Sequence, residues 1–204
     1  MTTTVILDFE TSGLNPYHAD IIEIGAKILG SEQSFQCLVK PESNREIDDK
    51  ITKITGITNR SLRAEGKPFL PAYNDFYNWL IDNLSKEEPN GIVAHNGASF
   101  DFIFFRRIIN TLYENKNIGK RLEEEYDIIY LDTLFISRRL YPQIYSFKQE
   151  TLCKYFKIKI DHAHRAFNDV ICLEQLMLKF MADLQKKYSI TEIRQIDDFI
   201  HLRV

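Results

Sequence analysis

The stretch Val5-Ile6-Leu7-Asp8-Phe9-Glu10-Thr11-Ser12-Gly13-Leu14 decides the fold. Residues 4–10 are apolar, β-branched and short, which predicts a strand ending at the Gly13-Leu14-Asn15-Pro16 turn. Side chains of a strand alternate, so Val5, Leu7 and Phe9 share one face while Ile6, Asp8 and Glu10 share the other. At strand spacing the two acids stand about 7 Å apart, and on an otherwise apolar strand they repel. Taken alone they fit either of two readings. The strand lies at a wet edge and the acids are solvated, or it is buried and a cation neutralises them.

Working outward, Asp20-Ile21-Ile22-Glu23-Ile24-Gly25-Ala26-Lys27-Ile28-Leu29 and residues 34–40 alternate well enough for two more strands, with Gly30-Ser31 as a turn. The three make an antiparallel meander. Short helices are expected over 47–65 around Gly56. Residues 69–84 form an amphipathic helix on Tyr73, Phe76, Tyr77, Leu80 and Leu84. Gly91–His95 reads as a buried strand, followed by a helix from about 99 to 114 and a short strand at 127–131. Helices follow near 132–140, 147–156 and 167–187, and residues 189–204 carry no decisive period. Strands first, then alternating helices and strands, predict an α/β domain with a mixed five-stranded sheet covered by helices. The expectation is one domain over 1–204, with its core at about 4–185.

Composition narrows the class. The chain has 204 residues, 44% hydrophobic and 27% charged, as expected of one globular domain. No apolar run approaches the ~20 residues a membrane helix needs, and the first residues do not read as a signal peptide. Three scattered cysteines without a C-x-x-C argue against a structural zinc site and for a reducing intracellular compartment, cytoplasmic or nuclear. A net charge of −3 gives no global attraction to nucleic acid, so such binding would have to be local.

Two more acids head apolar stripes. Asp101 precedes Phe104, Phe105, Ile108 and Leu112 at helical offsets, and Asp169 precedes Leu173, Leu176 and Phe180. Each carboxylate therefore starts a buried helix face, although Asp in a first turn also simply suits the helix dipole. His164 stands five residues before Asp169. At ~100° per residue the two cannot share a site mid-helix, which puts His164 in the preceding loop. Two strand acids, two helix acids and a loop histidine then meet at one sheet edge. Oxygen-only ligands suit Mg²⁺ or Mn²⁺. Two such ions about 3.5–4 Å apart would clamp a phosphodiester, with neutral His164 available to take a proton from water.

The order Asp-x-Glu, Asp, His-x-x-x-x-Asp resembles the DEDDh, or DnaQ-like, 3′→5′ exonucleases of the ribonuclease H-like superfamily. Asp8 to Leu14 is similar to their first motif, Ala94-His95-Asn96-Gly97 through Phe100-Asp101 to the second, and His164-Arg165-Ala166 through Asp169 to the third. Asp20–Ala26, Ile54–Thr58 and Asp132-Thr133-Leu134 match as well. The resemblance implies a ribonuclease H-like fold with helices on both faces of the sheet, and release of nucleoside 5′-monophosphates from a 3′ end. It implies that Asp8, Glu10 and Asp169 ligate one metal, that Asp8 bridges to a second, and that Asp101 serves the second directly or through water. His164 becomes the general base. Thr11, Ser12 and Leu14 are placed at the terminal nucleotide, the first two through backbone. Phe100 is either a stacking surface or a core ring.

Asn96 is a candidate nucleotide contact and Lys148 a candidate phosphate contact. Arg106-Arg107, Arg138-Arg139 and Lys154/Lys157/Lys159 read mostly as solvated faces, and His18, His162 and His201 as surface histidines. His95 reads as a hydrogen-bonded strand end. The expected substrate is single-stranded or frayed DNA 3′ ends. Its nearest rival is 3′ trimming of RNA, followed by an inert nucleic-acid-binding module and then a small-oligonucleotide phosphodiesterase. The sequence leaves open a homodimer or a polymerase partner.

Overall fold

The computed structural model describes residues 2–159 and 165–201. Strands β1 (Thr4–Thr11), β2 (Ile21–Ile28) and β3 (Ser34–Leu38) form the antiparallel meander. Strands β4 (Asn90–Ala94) and β5 (Ile128–Asp132) add in parallel, giving the order β3-β2-β1-β4-β5. The mixed five-stranded sheet is therefore as expected, and β1 is its central strand. β1 pairs with β2 along its length but with β4 only over Thr4–Ile6, so Asp8 and Glu10 stand half-buried beyond the last β4 pair, on a central strand and not at the sheet's outer edge.

Alternation along β1 divides the core in two. Val5, Leu7 and Phe9 pack with α3 (Phe69–Asn83) and α4 (Asp101–Glu114) through Tyr73, Phe76, Leu80, Phe104, Phe105 and Ile108. Ile6 faces the other layer. There α7 (Ala166–Tyr188) lays Leu173, Leu176, Met177 and Phe180 on the sheet. The flanking helices of that layer are α5 (Thr133–Leu140), α6 (Gln149–Tyr155) and α8 (Ile193–His201). Helices α1 (Asp49–Thr55) and α2 (Asn59–Glu65) close a small third cluster of Ile22, Ile47, Ile57 and Leu62. Between them the chain turns at Gly56, whose φ of 71° suits a residue without a Cβ. The Thr58–Ser61 capping box then starts α2.

Several boundaries move for local reasons. The helix expected from about 99 begins at Asp101, because Gly97–Ser99 form a 3₁₀ turn and Phe100 leaves helical dihedrals at φ −145°, ψ −83°. β3 stops at Leu38, after which Val39 bridges Lys67. The undecided stretch 189–204 contains α8, whose Ile193, Ile196 and Phe199 are buried. No helix among the described residues is long and apolar enough to cross a membrane.

Candidate active site

The face of β1 that carries Ile6 also carries Asp8 and Glu10, and α7 crosses above it with Asp169 in its first turn. One carboxylate oxygen from each of Asp8, Glu10 and Asp169 lies within 4.8 Å of the others. Asp169 comes from some 160 residues beyond Asp8 and Glu10, so only the fold brings it to them. Asp101 reaches the same strand from the α4 side. It is 3% exposed, and its Oδ1 accepts the Phe9 N–H at 3.2 Å. Asp101 stands outside the close trio yet adds its charge to the field at Asp8 and Glu10. His164 lies outside the described residues, as does His162.

The electrostatics are one-sided. Burial, then the charges of Asp101, Glu10 and Asp169, push the Asp8 carboxyl well above its ordinary value. Burial, then Asp169, Glu23 and Asp101, raise Glu10 to about 8. Burial also raises Asp101 to about 7, although the Phe9 N–H opposes the shift. Left alone, such a cluster takes up protons, whereas a divalent cation among the oxygens reverses the preference. An all-carboxylate donor set fits a hard cation that prefers oxygen ligands.

Glu23, opposite Glu10 on β2, is fully buried and uses its carboxylate differently. It accepts from Arg165 Nε (3.1 Å) and Nη2 (2.7 Å), from the Ala166 N–H (3.0 Å) and from Gln36 Nε2 (3.0 Å). The sequence reading quoted this strand but gave Glu23 no role. The available signal was an acid two residues before Gly25 in an otherwise apolar run.

The turn after β4 is held by Asp132. Its two oxygens accept the N–H groups of Asn96 (2.9 Å), Ala98 (3.0 Å) and Leu134 (2.9 Å), which also caps α5. His95 is fixed between Thr133 Oγ1 (2.9 Å) and the Phe147 carbonyl (2.8 Å). Nε2 donates to that carbonyl. Burial lowers the His95 pKa, and the Thr133 hydroxyl beside Nδ1 also donates to the Ala94 carbonyl at 3.2 Å. This bears out its reading as a hydrogen-bonded strand end.

The remaining candidates surround the acids. A cavity of about 450 Å³ is lined by Asp8, His95, Lys148, Gln149, Glu150 and Asp169. It adjoins one of about 630 Å³ that shares His95, Lys148 and Gln149 and extends past Asn96 to Arg138 and Tyr145. Lys148 is exposed at the start of α6, and Asn96 is exposed with φ 59°. Phe100 is half-buried, its ring 5.0 Å from Phe104 in an edge-on contact. Leu14 is 84% exposed at the end of the loop after β1. The Thr11 hydroxyl donates to the Gly13 carbonyl, and the Ser12 N–H to the Asp20 carbonyl.

A mixed sheet in this order, with a half-buried acid cluster where its central strand meets α7, defines a ribonuclease H-like protein. The exonuclease family model, RNase_T, matches residues 5–177, and the chain belongs to that family. The PolC-type DNA polymerase III of Bacillus subtilis (strain 168) is 34% identical over 189 residues, covering 91% of this chain and 12% of that protein. This chain thus spans about an eighth of the length of such relatives. Among solved structures, one of exonuclease I superposes with a TM-score of 0.73 at 22% identity, over 98% of this chain and 43% of that one. A zinc-bound complex of Escherichia coli exonuclease I with single-stranded DNA gives 0.73 at 22% identity, over 94% and 42%. At that identity the likeness speaks for the fold.

Proposed function

We propose that this chain is a metal-dependent 3′→5′ exonuclease that releases nucleoside 5′-monophosphates from single-stranded or frayed 3′ ends, DNA in preference to RNA. One observation carries the reading. Two carboxylates of the central strand and one from the start of α7 converge within 4.8 Å at a half-buried site, an arrangement that opposes folding unless cations are bound. Likeness to a polymerase that makes DNA, and to an exonuclease solved with single-stranded DNA, supports the substrate.

Asp8, Glu10 and Asp169 would hold one Mg²⁺ or Mn²⁺, and Asp8 and Asp101 would serve a second. Such ions supply positive charge against the attacking water and the leaving oxyanion. The residues of the chain do the rest. His164 takes the proton of the attacking water, joined by one peptide bond to the anchored Arg165. Lys148, at the junction of the two cavities, meets a backbone phosphate, and Asn96 a nucleotide edge. Leu14 wedges against the terminal bases, which Phe100 also faces. With the Ser12 N–H donating to Asp20 and its Oγ accepting the Asp20 N–H, the Ser12 hydroxyl proton is the donor left for a terminal 3′-hydroxyl. Thr11 supports that turn through Gly13.

Matched DNA and RNA oligonucleotides labelled at either end, digested with Mg²⁺ or Mn²⁺, test the reading. The expected result is stepwise loss from the 3′ end, faster on DNA. Faster digestion of RNA would move the substrate to RNA ends, and no digestion with either metal would end the proposal.

A further inference from the structure

We propose that Glu23 is a positioning residue for the metal centre: it clamps the first turn of α7 to β2 and thereby sets where Asp169 stands relative to Asp8 and Glu10. The inference rests on the metal-centre reading above and concerns a carboxylate that the reading does not use. Glu23 is 0% exposed and lies beside Glu10 across the β1–β2 ladder, so it looks like a further ligand. Its hydrogen bonds say otherwise. Among the described residues the close acid group is Asp8, Glu10 and Asp169, without Glu23. Both Glu23 oxygens already face donors: Arg165 Nη2 and Gln36 Nε2 on Oε1, Arg165 Nε and the Ala166 N–H on Oε2. The Ala166 N–H belongs to the start of the helix, where no intrahelical acceptor exists.

A second observation is independent of charge. A Cβ on Gly25 would stand 2.6 Å from the Ala166 carbonyl carbon and 2.8 Å from the Phe167 nitrogen. The α7 backbone therefore rests directly on the strand two residues beyond Glu23. Lys27, two residues further on the same face, pairs with Glu174 at 2.7 Å, and that carboxylate also takes the Gly30 N–H at 2.9 Å. Alternate residues of β2 thus fix α7 at three points. The point nearest the acids is Glu23, and Asp169 lies three residues after Ala166, within the same turn. Arg165, its side chain 40% exposed, also brings a positive charge that lowers the pKa of Glu10.

Mn²⁺ binding by calorimetry, together with the Mn²⁺ dependence and KM of oligonucleotide hydrolysis, tests the clamp in the parent, Glu23→Ala, Glu23→Gln and Arg165→Gln. Loss of an outer partner of a metal ligand typically weakens affinity ~10–100-fold. The expected result is a shift of that size for Glu23→Ala in both metal readouts, with oligonucleotide KM at saturating Mn²⁺ unchanged. Glu23→Gln, which keeps an acceptor for the Ala166 N–H, should recover part of it. Arg165→Gln, altered at a half-exposed side chain, should shift affinity in the same direction. A folded Glu23→Ala or Arg165→Gln protein that bound Mn²⁺ within twofold of the parent would overturn the clamp. So would a lower Tm with unchanged metal affinity. A parent that binds Mn²⁺ but cuts no nucleic acid would sink the functional reading alone, because the binding shifts still decide the clamp.

Discussion

The two faces of β1 have the same neighbours in the sheet and opposite consequences for stability. On one face Val5, Leu7 and Phe9 meet the aromatic layer of α3 and α4, where every buried side chain contributes roughly 1.5–3 kcal/mol. On the other, Ile6 is followed by Asp8 and Glu10, whose mutual repulsion and burial oppose folding. One strand thus carries a face that holds the protein together and a face held in place by the rest of the fold. Such a division is expected where chemistry needs charges that packing would exclude.

The sharpest break of that comparison is on the acid face. Asp8→Ala, Asp101→Asn or His164→Ala should remove most hydrolysis while circular dichroism and Tm report a folded protein. For His164 the loss should be ~10²–10⁴-fold, and a His164→Ala protein that degraded a labelled strand at the parental rate would refute its role as base. On the opposite face, Leu7→Ala should cost about 2–5 kcal/mol in denaturant unfolding. The fraction that remains folded should keep its turnover, which single-turnover rates per folded molecule would show.

The sign of the pH dependence separates the faces further. Glu10 is raised from 4.5 to about 8 in the native state, so between those values the native protein holds a proton that the unfolded chain has lost. Metal-free stability is therefore fullest below about pH 4.5, so far as this group is concerned, and falls as pH rises towards 8. Thermal melts in EDTA should show that decline, and Mg²⁺ or Mn²⁺ should raise Tm more at pH 8 than at pH 5. An equal rise at both would contradict the site. A smaller effect is expected from Asp8→Asn at pH 8 without metal. It should raise Tm, by about 2–4 °C for each kcal/mol relieved, as the same change stops turnover. The smallest is Leu14→Ala, within ±0.5 kcal/mol in stability because the side chain is exposed, with its effect confined to KM.

Much of this was legible in the chain. Asp8 and Glu10 betray themselves by alternating with Val5, Leu7 and Phe9, and Asp101 and Asp169 by heading stripes that the fold buries. Those signals are local, so periodicity finds them. The clamp was not legible for the converse reason. Glu23, Gly25 and Lys27 alternate with Ile22, Ile24 and Ala26 and so look like the wet face of a strand. What covers them is α7, more than 140 residues away. The helix at 193–201 stayed undecided because it is only 9 residues long and its partners, on β5 and α5, lie far back in the chain, 67 residues back for the Arg194–Asp127 pair. The half-buried Phe100 and the exposed Asn96 sit on the kinked turn that Asp132 ties down, which spacing alone does not encode.

That last helix has a consequence in simple widths. Five strands at about 4.8 Å span some 20 Å, whereas one helix with its side chains is about 10 Å across. A single α7 therefore roofs only the middle of its face, and the margin over β5 needs a second beam. Ile193, Ile196 and Phe199 of α8 provide it, with Arg194 tied to Asp127 at the root of β5. Trimming the chain at residue 190 would bare Ile129 and Leu131 together, and the clipped protein should come out of solution sooner than its intact counterpart.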